Sequence, residues 1–212
     1  MESLKPYAEC FEAAYPGYAD ARYEEIRQLV EIYSDPQIIA FLESEPFAAS
    51  IRLIRPVVAI KNYKSQVPFP EDIRAAVTCI REIACTTVRA DDALAGHATL
   101  LNRLLGLQGF RLPTASAVLH FCHPEHFPIV DVNVEAACVC LSQRYPQDFQ
   151  GIDVPCLPRW HERGDAVVCA YRDFISFIKR VCDLQVEHTP DVSYRYIDKA
   201  LMVLGGGRLA PT

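Results

Sequence analysis

The chain has 212 residues, 50% hydrophobic and 23% charged, a balance that excludes intrinsic disorder and predicts one domain or two closely packed lobes. No stretch reaches the roughly 18 uninterrupted apolar residues of a membrane span, and the first ten residues lack the basic start and apolar run of a secretory signal, so we expect a cytoplasmic protein with no membrane partner. The net charge of −6 argues against a nucleic-acid partner when it is taken over the whole chain, because phosphate neutralisation supplies much of the affinity for DNA.

The charge is, however, unevenly distributed. Residues 1–50 carry three Lys or Arg against ten Asp or Glu, residues 51–111 carry nine against five, and residues 112–212 carry nine against twelve. We therefore expect DNA contacts, if the protein makes them, to lie in the basic segment 51–111. Solvated surface charge would account for the same excess.

Apolar residues at helical spacing dominate the first half of the chain. They predict a helix with apolar positions 26, 29, 30 and 33, a short helix from Asp35-Pro36 to Leu42, and a helix that ends or kinks at Pro56. A further helix starts at Pro70, where proline suits the first turn, and its apolar face consists of Ile73, Val77, Ile80 and Ala84.

The second half continues in the same way. Asp91 or Asp92 can cap a helix that runs through Leu104, residues 159–183 form a long helical pattern, and Pro190 precedes a last helix that ends near Leu204 and the glycines 205–207. No segment shows sustained alternation of apolar and polar residues, so the sequence predicts an all-α fold.

The segment 104–140 is the most informative one. Its pattern predicts a helix that ends at Leu107, a tight hairpin over residues 108–111, and a second helix from Pro113-Thr114 to about Phe121. Gly109 permits a positive φ or a close backbone approach at the hairpin. The N–H groups of the hairpin and of the second helix's first turn can hold a phosphate, a contact that positions DNA without reading its sequence.

Asp131 follows a proline-bounded loop, 123–128, and directly precedes a helical run from Val132 to Leu141. It is therefore a natural N-cap, where a carboxylate interacts favourably with the positive end of the helix and with its N–H donors. Taken alone, an aspartate in this place is explained by capping.

Together the two motifs resemble the helix-hairpin-helix DNA glycosylase superfamily, which includes endonuclease III, the adenine-mismatch glycosylases and the 8-oxoguanine glycosylases. Residues 107–115, LQGFRLPTA, are similar to the superfamily hairpin L-P-G-V-G-x-x-T-A, and residues 130–134, VDVNV, to the (V/L)-D-x-(N/H)-V context of its catalytic aspartate, at similar spacing. Residues 126–129 resemble the adenine-mismatch branch, and residues 194–201 resemble the C-terminal helix of bacterial proteins with the 8-oxoguanine glycosylase fold.

The resemblance implies a two-lobed helical fold with the hairpin motif beside the cleft between the lobes. We expect one compact unit over 1–212, with acidic N-terminal helices at 1–50, the basic segment and both motifs at 51–145, and C-terminal helices at 146–212. It further implies a monomeric enzyme that binds double-stranded DNA and, in a bacterial cell, associates with the nucleoid. Asp131 would be the catalytic residue, and Gly109, Phe110, Arg111 and Thr114 would contact DNA.

Three departures from the superfamily pattern qualify these expectations. Arg111 occupies the place of the second hairpin glycine, where a left-handed conformation would be costly, although it could add a phosphate contact. Pro113 occupies the place of the lysine that forms a Schiff base in bifunctional members, which predicts a monofunctional enzyme without strand cleavage. No two cysteines stand in a C-x2-C pair, so we expect no iron–sulfur cluster and no other cofactor; the superfamily hairpin can hold a monovalent cation through backbone carbonyls.

The activity implied is extrusion of a damaged or modified base from the duplex and hydrolysis of its bond to deoxyribose. Oxidised guanine is the substrate that the fold suggests, and mispaired adenine, an alkylated base or a modified phage cytosine stay open.

Aromatic side chains can stack on the extruded base or fill the gap that it leaves, and core packing is their alternative role. The candidates are Tyr63, Phe69, Phe110 and Trp160. Of these, Phe110 has the place at the hairpin tip where exposure is expected, and the basic Lys61 and Lys64 could line the DNA or be solvated.

Two side-chain types raise a metal hypothesis. The nine cysteines are an odd number and most fall in apolar helical periodicity, so we expect them to be reduced core residues. His120, Cys122, His123 and His126 lie within seven positions, but their spacing matches no zinc pattern, and packing in the core or the loop is favoured. We expect no metal site.

Two other functions fit the same sequence. A DNA-binding module without catalysis would keep the hairpin and use Asp131 only as a cap. A helical scaffold of a repair or phage-defence complex would account for the acidic first fifty residues and would not bind DNA even at low salt.

Overall fold

A computed structural model describes residues 1–15, 23–24, 27–28, 70–89, 94–107, 110–157 and 164–207. These ranges contain seven α-helices and no strand, which confirms the all-α class for the described part of the chain. In chain order the helices are α1 (Lys5–Ala14), α2 (Pro70–Cys85), α3 (Ala98–Gly106), α4 (Leu112–Cys122), α5 (Val132–Arg144), α6 (Asp165–Gln185) and α7 (Tyr194–Gly206). None of the helices in these ranges is long and apolar enough to cross a membrane.

The helices pack in two neighbouring groups. The last helix, α7, packs against α5, α1 and α6, while α2, α3 and α4 pack against one another. Helix α6 contacts both groups, since it also packs against α3. Its buried face carries Tyr171, Phe174, Phe177 and Ile178, and these side chains belong to one buried hydrophobic cluster with residues of the other helices.

The N-terminal residues are attached to this core by polar contacts. The buried Gln185 side chain accepts a hydrogen bond from the Leu4 amide at 2.6 Å and donates one to the Glu2 carbonyl at 2.9 Å. Lys199 of α7 pairs with Glu12 of α1 at 3.1 Å. The first helix of the acidic segment is thus fixed at both ends to the C-terminal helices.

Several predicted helices are confirmed with small shifts. The helices expected from Pro70, after Asp131 and after Pro190 are α2, α5 and α7, and Gly207 ends α7 in the left-handed conformation, with a φ of 60°. The α-helix before the hairpin begins at Ala98, after a 3-10 turn at Ala95–His97. The helices predicted within 26–42 and at Pro56, and the caps Asp91 and Asp92, lie outside the described residues.

The expectation about cysteines is correct in one respect and wrong in another. All nine are free thiols, but only Cys79 and Cys138 are buried. Cys85, Cys140, Cys156 and Cys169 are exposed, because they fall on the outward faces of their helices or in the loop after α5. An apolar helical pattern places a thiol on a helix without fixing its face.

Candidate functional site

A buried segment without regular secondary structure, residues 127–130, connects the loop after α4 to the N-terminus of α5. Its four side chains are all buried, so its backbone polar groups need partners within the protein. Two carbonyls have them: the His120 ring donates to the Phe127 carbonyl at 2.6 Å, and the Tyr171 hydroxyl donates to the Pro128 carbonyl at 2.8 Å. The segment is therefore held between α4 on one side and α6 on the other.

Ser116 bonds to a third backbone group of this segment, the Val130 amide. Its hydroxyl is fully buried on α4, accepts a hydrogen bond from the Val130 amide at 3.0 Å, and donates to the Pro113 carbonyl at 3.1 Å. One hydroxyl thus joins the residue before Asp131 to the first turn of the helix that follows the hairpin. This contact fixes the distance between the two motifs that the sequence singled out.

His120 has a defined tautomer. A carbonyl oxygen only accepts, so Nδ1 carries the proton, and Nε2 is left to accept from the Tyr23 hydroxyl at 2.7 Å. Burial lowers the pKa of His120, which favours this neutral form. Burial likewise raises the pKa of Tyr23 to about 12, so the phenol keeps the proton that it donates.

Asp131 caps α5, as the sequence predicts. Its backbone is extended, with φ −148° and ψ 151°, and its Oδ1 atom accepts a hydrogen bond from the Asn133 amide at 2.9 Å. The carboxylate is partly buried, and the next residue, Val132, exposes 54% of its surface. The cap therefore lies at the edge of the core, where a large ligand can reach it.

A second carboxylate, that of Glu135, lies one turn further along α5. Its Oε1 atom accepts a hydrogen bond from the Leu157 amide at 3.0 Å. This contact ties the loop after α5 back to the first turn of the helix.

The end of α7 packs directly on the beginning of α5. A Cβ atom added to Gly205 would overlap the Asn133 carbonyl oxygen and would lie 2.8 Å from the Ala137 amide nitrogen. Only a glycine permits this approach of the two backbones. The first turn of α5, and with it Asp131, is thereby supported by α7 in addition to the hydrogen bond between Val130 and α4.

The described residues of the hairpin differ in part from expectation. The Phe110 amide donates to the Leu107 carbonyl at 3.2 Å, but the Phe110 side chain is fully buried. Its expected exposure at the tip is wrong, because the ring packs into the hydrophobic core. It therefore offers no wedge or stacking surface in this conformation. Gly109 lies outside the described residues, and so does the backbone that would hold a cation there.

Arg111 and Thr114 also take places that the sequence did not predict. Arg111 has φ −136° and ψ 171°, an extended N-cap conformation, so it avoids the cost of a left-handed backbone. Its guanidinium donates to the Phe110 carbonyl at 2.7 Å. Thr114 lies within the first turn of α4, which begins two residues earlier than expected at Leu112, and its side chain is buried. Its first-turn amide is the part that a phosphate could contact.

Comparison of the chain with protein-family models, with curated proteins and with solved structures finds no match. A function is therefore inferred from the residues of this chain and their geometry.

The remaining candidate residues fall into two groups. Tyr63, Phe69, Trp160, Lys61 and Lys64 lie outside the described residues. Two of the His and Cys side chains at the end of α4 contact backbone carbonyls: His123 bonds to Ile83 at 2.7 Å and the Cys122 thiol to Ile80 at 3.9 Å. In the ranges that the structure describes, no three His, Cys, Asp or Glu side chains are placed to hold a metal ion.

Four residues that position Asp131 are not identifiable as such from the sequence: Ser116, His120, Tyr171 and Gly205. A serine within the apolar run of α4 was the available signal for Ser116, because a buried hydroxyl needs a partner. His120 stood out only as a metal candidate, Tyr171 as part of an apolar face, and Gly205 as a helix terminator. Their partners are distant in the chain, so spacing could not identify them.

Proposed function

We propose that this chain is a monofunctional DNA glycosylase of the helix-hairpin-helix class, with Asp131 as its catalytic carboxylate. The substrate is a damaged or modified base in duplex DNA. The products are the free base and an abasic site in an uncut strand.

The observation that carries the proposal is the link between the two motifs through Ser116. It sets Asp131 one residue beyond a backbone amide bonded to α4 at 3.0 Å, on a buried segment with little freedom to move. A catalytic carboxylate must keep its place relative to the DNA phosphates that the hairpin holds. A carboxylate that only caps a helix does not need a fixed position relative to bound DNA.

The chemistry follows from the charge that develops as the base leaves. The bond between the base nitrogen and C1′ breaks with its electron pair going to the base, so positive charge builds on the sugar. The Asp131 carboxylate stabilises that charge and orients a water molecule towards C1′. Water supplies the hydroxyl of the abasic product, and its proton neutralises the departing base.

The absence of strand cleavage is proposed from Pro113. The structure places this residue in the first turn of α4, beside the Ser116 contact. Proline has no amine to form a Schiff base with the abasic sugar, so the usual lyase step lacks its nucleophile at this position.

A panel of duplexes tests the proposal. Each carries one modified base, such as oxidised guanine, adenine opposite oxidised guanine, an alkylated purine or a modified cytosine, and an unmodified duplex is the control. We expect alkali-labile sites in at least one modified duplex and an intact strand without alkali. Strand scission without alkali would contradict the monofunctional assignment.

A non-catalytic DNA-binding module is the second candidate. Two observations favour it: the Asp131 carboxylate is engaged in an ordinary cap, and the buried Phe110 cannot act as a wedge in this conformation. This candidate predicts duplex binding without base release from any member of the panel. A scaffold protein, in contrast, would not bind the duplexes at low salt.

A further inference from the structure

A groove of about 460 Å³ lies where the loop after α4, the last turns of α6 and the first turn of α7 meet. Its described lining carries three cationic side chains, Arg27, Lys179 and Arg195, and one carboxylate, Glu125. Tyr23, Ser193 and Tyr194 add hydroxyl groups. The volume suits a small ligand, and these described groups favour one that is negatively charged.

The groove is separate from Asp131. Arg195 in the groove and Gly205 beside the first turn of α5 are separated by ten positions along α7, a rise of about 15 Å along a helix. Helix α4 gives the same result. Near its N-terminus, Ser116 accepts a hydrogen bond from the Val130 amide, whereas Pro124, which lies beyond its C-terminus, lines the groove. A ligand here would not contact the catalytic carboxylate that we propose.

Arg195 is held in position before any ligand arrives. Its guanidinium lies 4.7 Å from the centre of the Tyr23 ring, and its Nη1 atom pairs with the Asp198 carboxylate at 2.8 Å. The side chain therefore loses little conformational entropy when it binds an anion.

The first turn of α7 adds backbone donors. The Ser193 hydroxyl accepts from the Tyr196 amide at 3.2 Å, and the Ser193 carbonyl accepts from the Ile197 amide at 3.0 Å. The amides of Tyr194 and Arg195 precede these and have no acceptor within the helix. They lie beside the cationic side chains, where both the helix end and the side chains favour negative charge.

We propose that this groove binds a phosphate group, held by Arg27, Lys179, Arg195 and the first amides of α7. The phosphate can belong to a small phosphorylated molecule or to the DNA backbone, since both present the same oxygens to these donors. The site does not depend on glycosylase activity.

Titration of the full chain with inorganic phosphate, at an ionic strength kept constant with chloride, tests the proposal. We expect saturable shifts of the Tyr194 and Arg195 amide signals in NMR spectra. Lys179→Gln is the test variant because this side chain is exposed and its loss should leave the fold intact. Loss of a charged contact is expected to weaken binding about tenfold.

Arg172→Gln is the matched control, since Arg172 is also an exposed cation of α6 but does not line the groove. It should bind phosphate as the wild type does, and so should Asp131→Asn, which separates this site from the proposed active site. An unmodified duplex that displaces phosphate identifies the DNA backbone as the source, and one that does not points to a small phosphorylated ligand. No saturable shift, or equal weakening by Lys179→Gln and Arg172→Gln, would overturn the proposal.

Discussion

Residues 127–130 carry buried backbone groups that depend on side chains from two helices. The Phe127 and Pro128 carbonyls accept from His120 and Tyr171, and the Val130 amide donates to Ser116. A buried donor or acceptor that loses its partner costs about 1 to 3 kcal/mol. Each of these three side chains therefore stabilises the fold and also holds Asp131 in position.

Ser116→Ala isolates one of these contacts. The substitution leaves the Val130 amide buried without its acceptor, so we expect the free energy of unfolding in urea to fall by about 1 to 3 kcal/mol. Ser142→Ala is the control, because the Ser142 hydroxyl is exposed and bonds only to the Val139 carbonyl of its own helix. Equal losses for the two variants would show that the Ser116 contact adds nothing.

His120 makes stability depend on pH. Burial lowers the pKa of its ring in the folded protein, so the unfolded chain takes up a proton at a higher pH than the folded chain does. The stability from the neutral ring is present above the unfolded pKa of about 6.5 and is lost as the pH falls through the folded pKa.

Unfolding free energies at pH values of about 7.5 and 5.5 measure this contribution. We expect the wild type to be less stable at the lower pH, and His120→Asn to show a smaller difference between the two. His188→Gln, at an exposed histidine, should keep the wild-type difference. A wild-type difference in His120→Asn would mean that other groups cause the pH dependence.

At the scale of elements, the contact of α7 with α5 decides where the Asp131 cap lies. The backbones approach at Gly205, where an added Cβ atom would overlap the Asn133 carbonyl oxygen. The helices would have to move apart to admit a methyl group, and Asn133 is the residue whose amide bonds to Asp131. Gly205 thus supports the candidate site without touching it.

Gly205→Ala and Gly206→Ala form a matched pair. We expect Gly205→Ala to lower the unfolding free energy by about 3 kcal/mol, the upper range for overpacking. A Cβ atom at Gly206 would lie 3.6 Å from the Asn133 Cγ atom, an ordinary contact, so Gly206→Ala should be neutral or stabilising by up to about 1 kcal/mol. Similar stability changes for the two alanine variants, measured by urea unfolding, would contradict the close approach.

Local pattern predicted the helices well where a helix has its own start and stop signals. The proline of α2, the Asp131 cap of α5 and the glycine that ends α7 are such signals, and each helix is found where they place it. The side-chain environment of the hairpin could not be predicted in this way. Whether Phe110 points to solvent or to the core depends on packing between helices, which spacing along the chain does not encode.

At the scale of the whole molecule, a net charge of −6 has to be reconciled with the DNA partner that we propose. In the described part of the basic segment, Arg103 forms an ion pair with Glu82, so its guanidinium is less available to a DNA phosphate. Arg111 is the N-cap of α4 and is partly buried. We expect Arg111 to contribute a phosphate contact in the DNA complex that we propose.

Arg111→Gln tests that expectation. We predict a weaker affinity for duplex DNA and a plot of log affinity against log salt whose slope is smaller by about 1, the value for one lost phosphate contact. Arg172→Gln removes the same charge from the outer face of α6 and should leave the slope unchanged. An unchanged slope in Arg111→Gln would exclude Arg111 from the DNA contact.

The central claim, that Asp131 is a catalytic carboxylate and not only a cap, is tested most directly by single-turnover base release in Asp131→Asn. Asparagine caps helices as well as aspartate does, so the fold and the duplex affinity should be kept while base release falls by about a hundredfold or more. Glu135→Gln removes a neighbouring carboxylate whose Oε1 atom accepts from the Leu157 amide and should release base at the wild-type rate. Wild-type base release by Asp131→Asn would contradict the account.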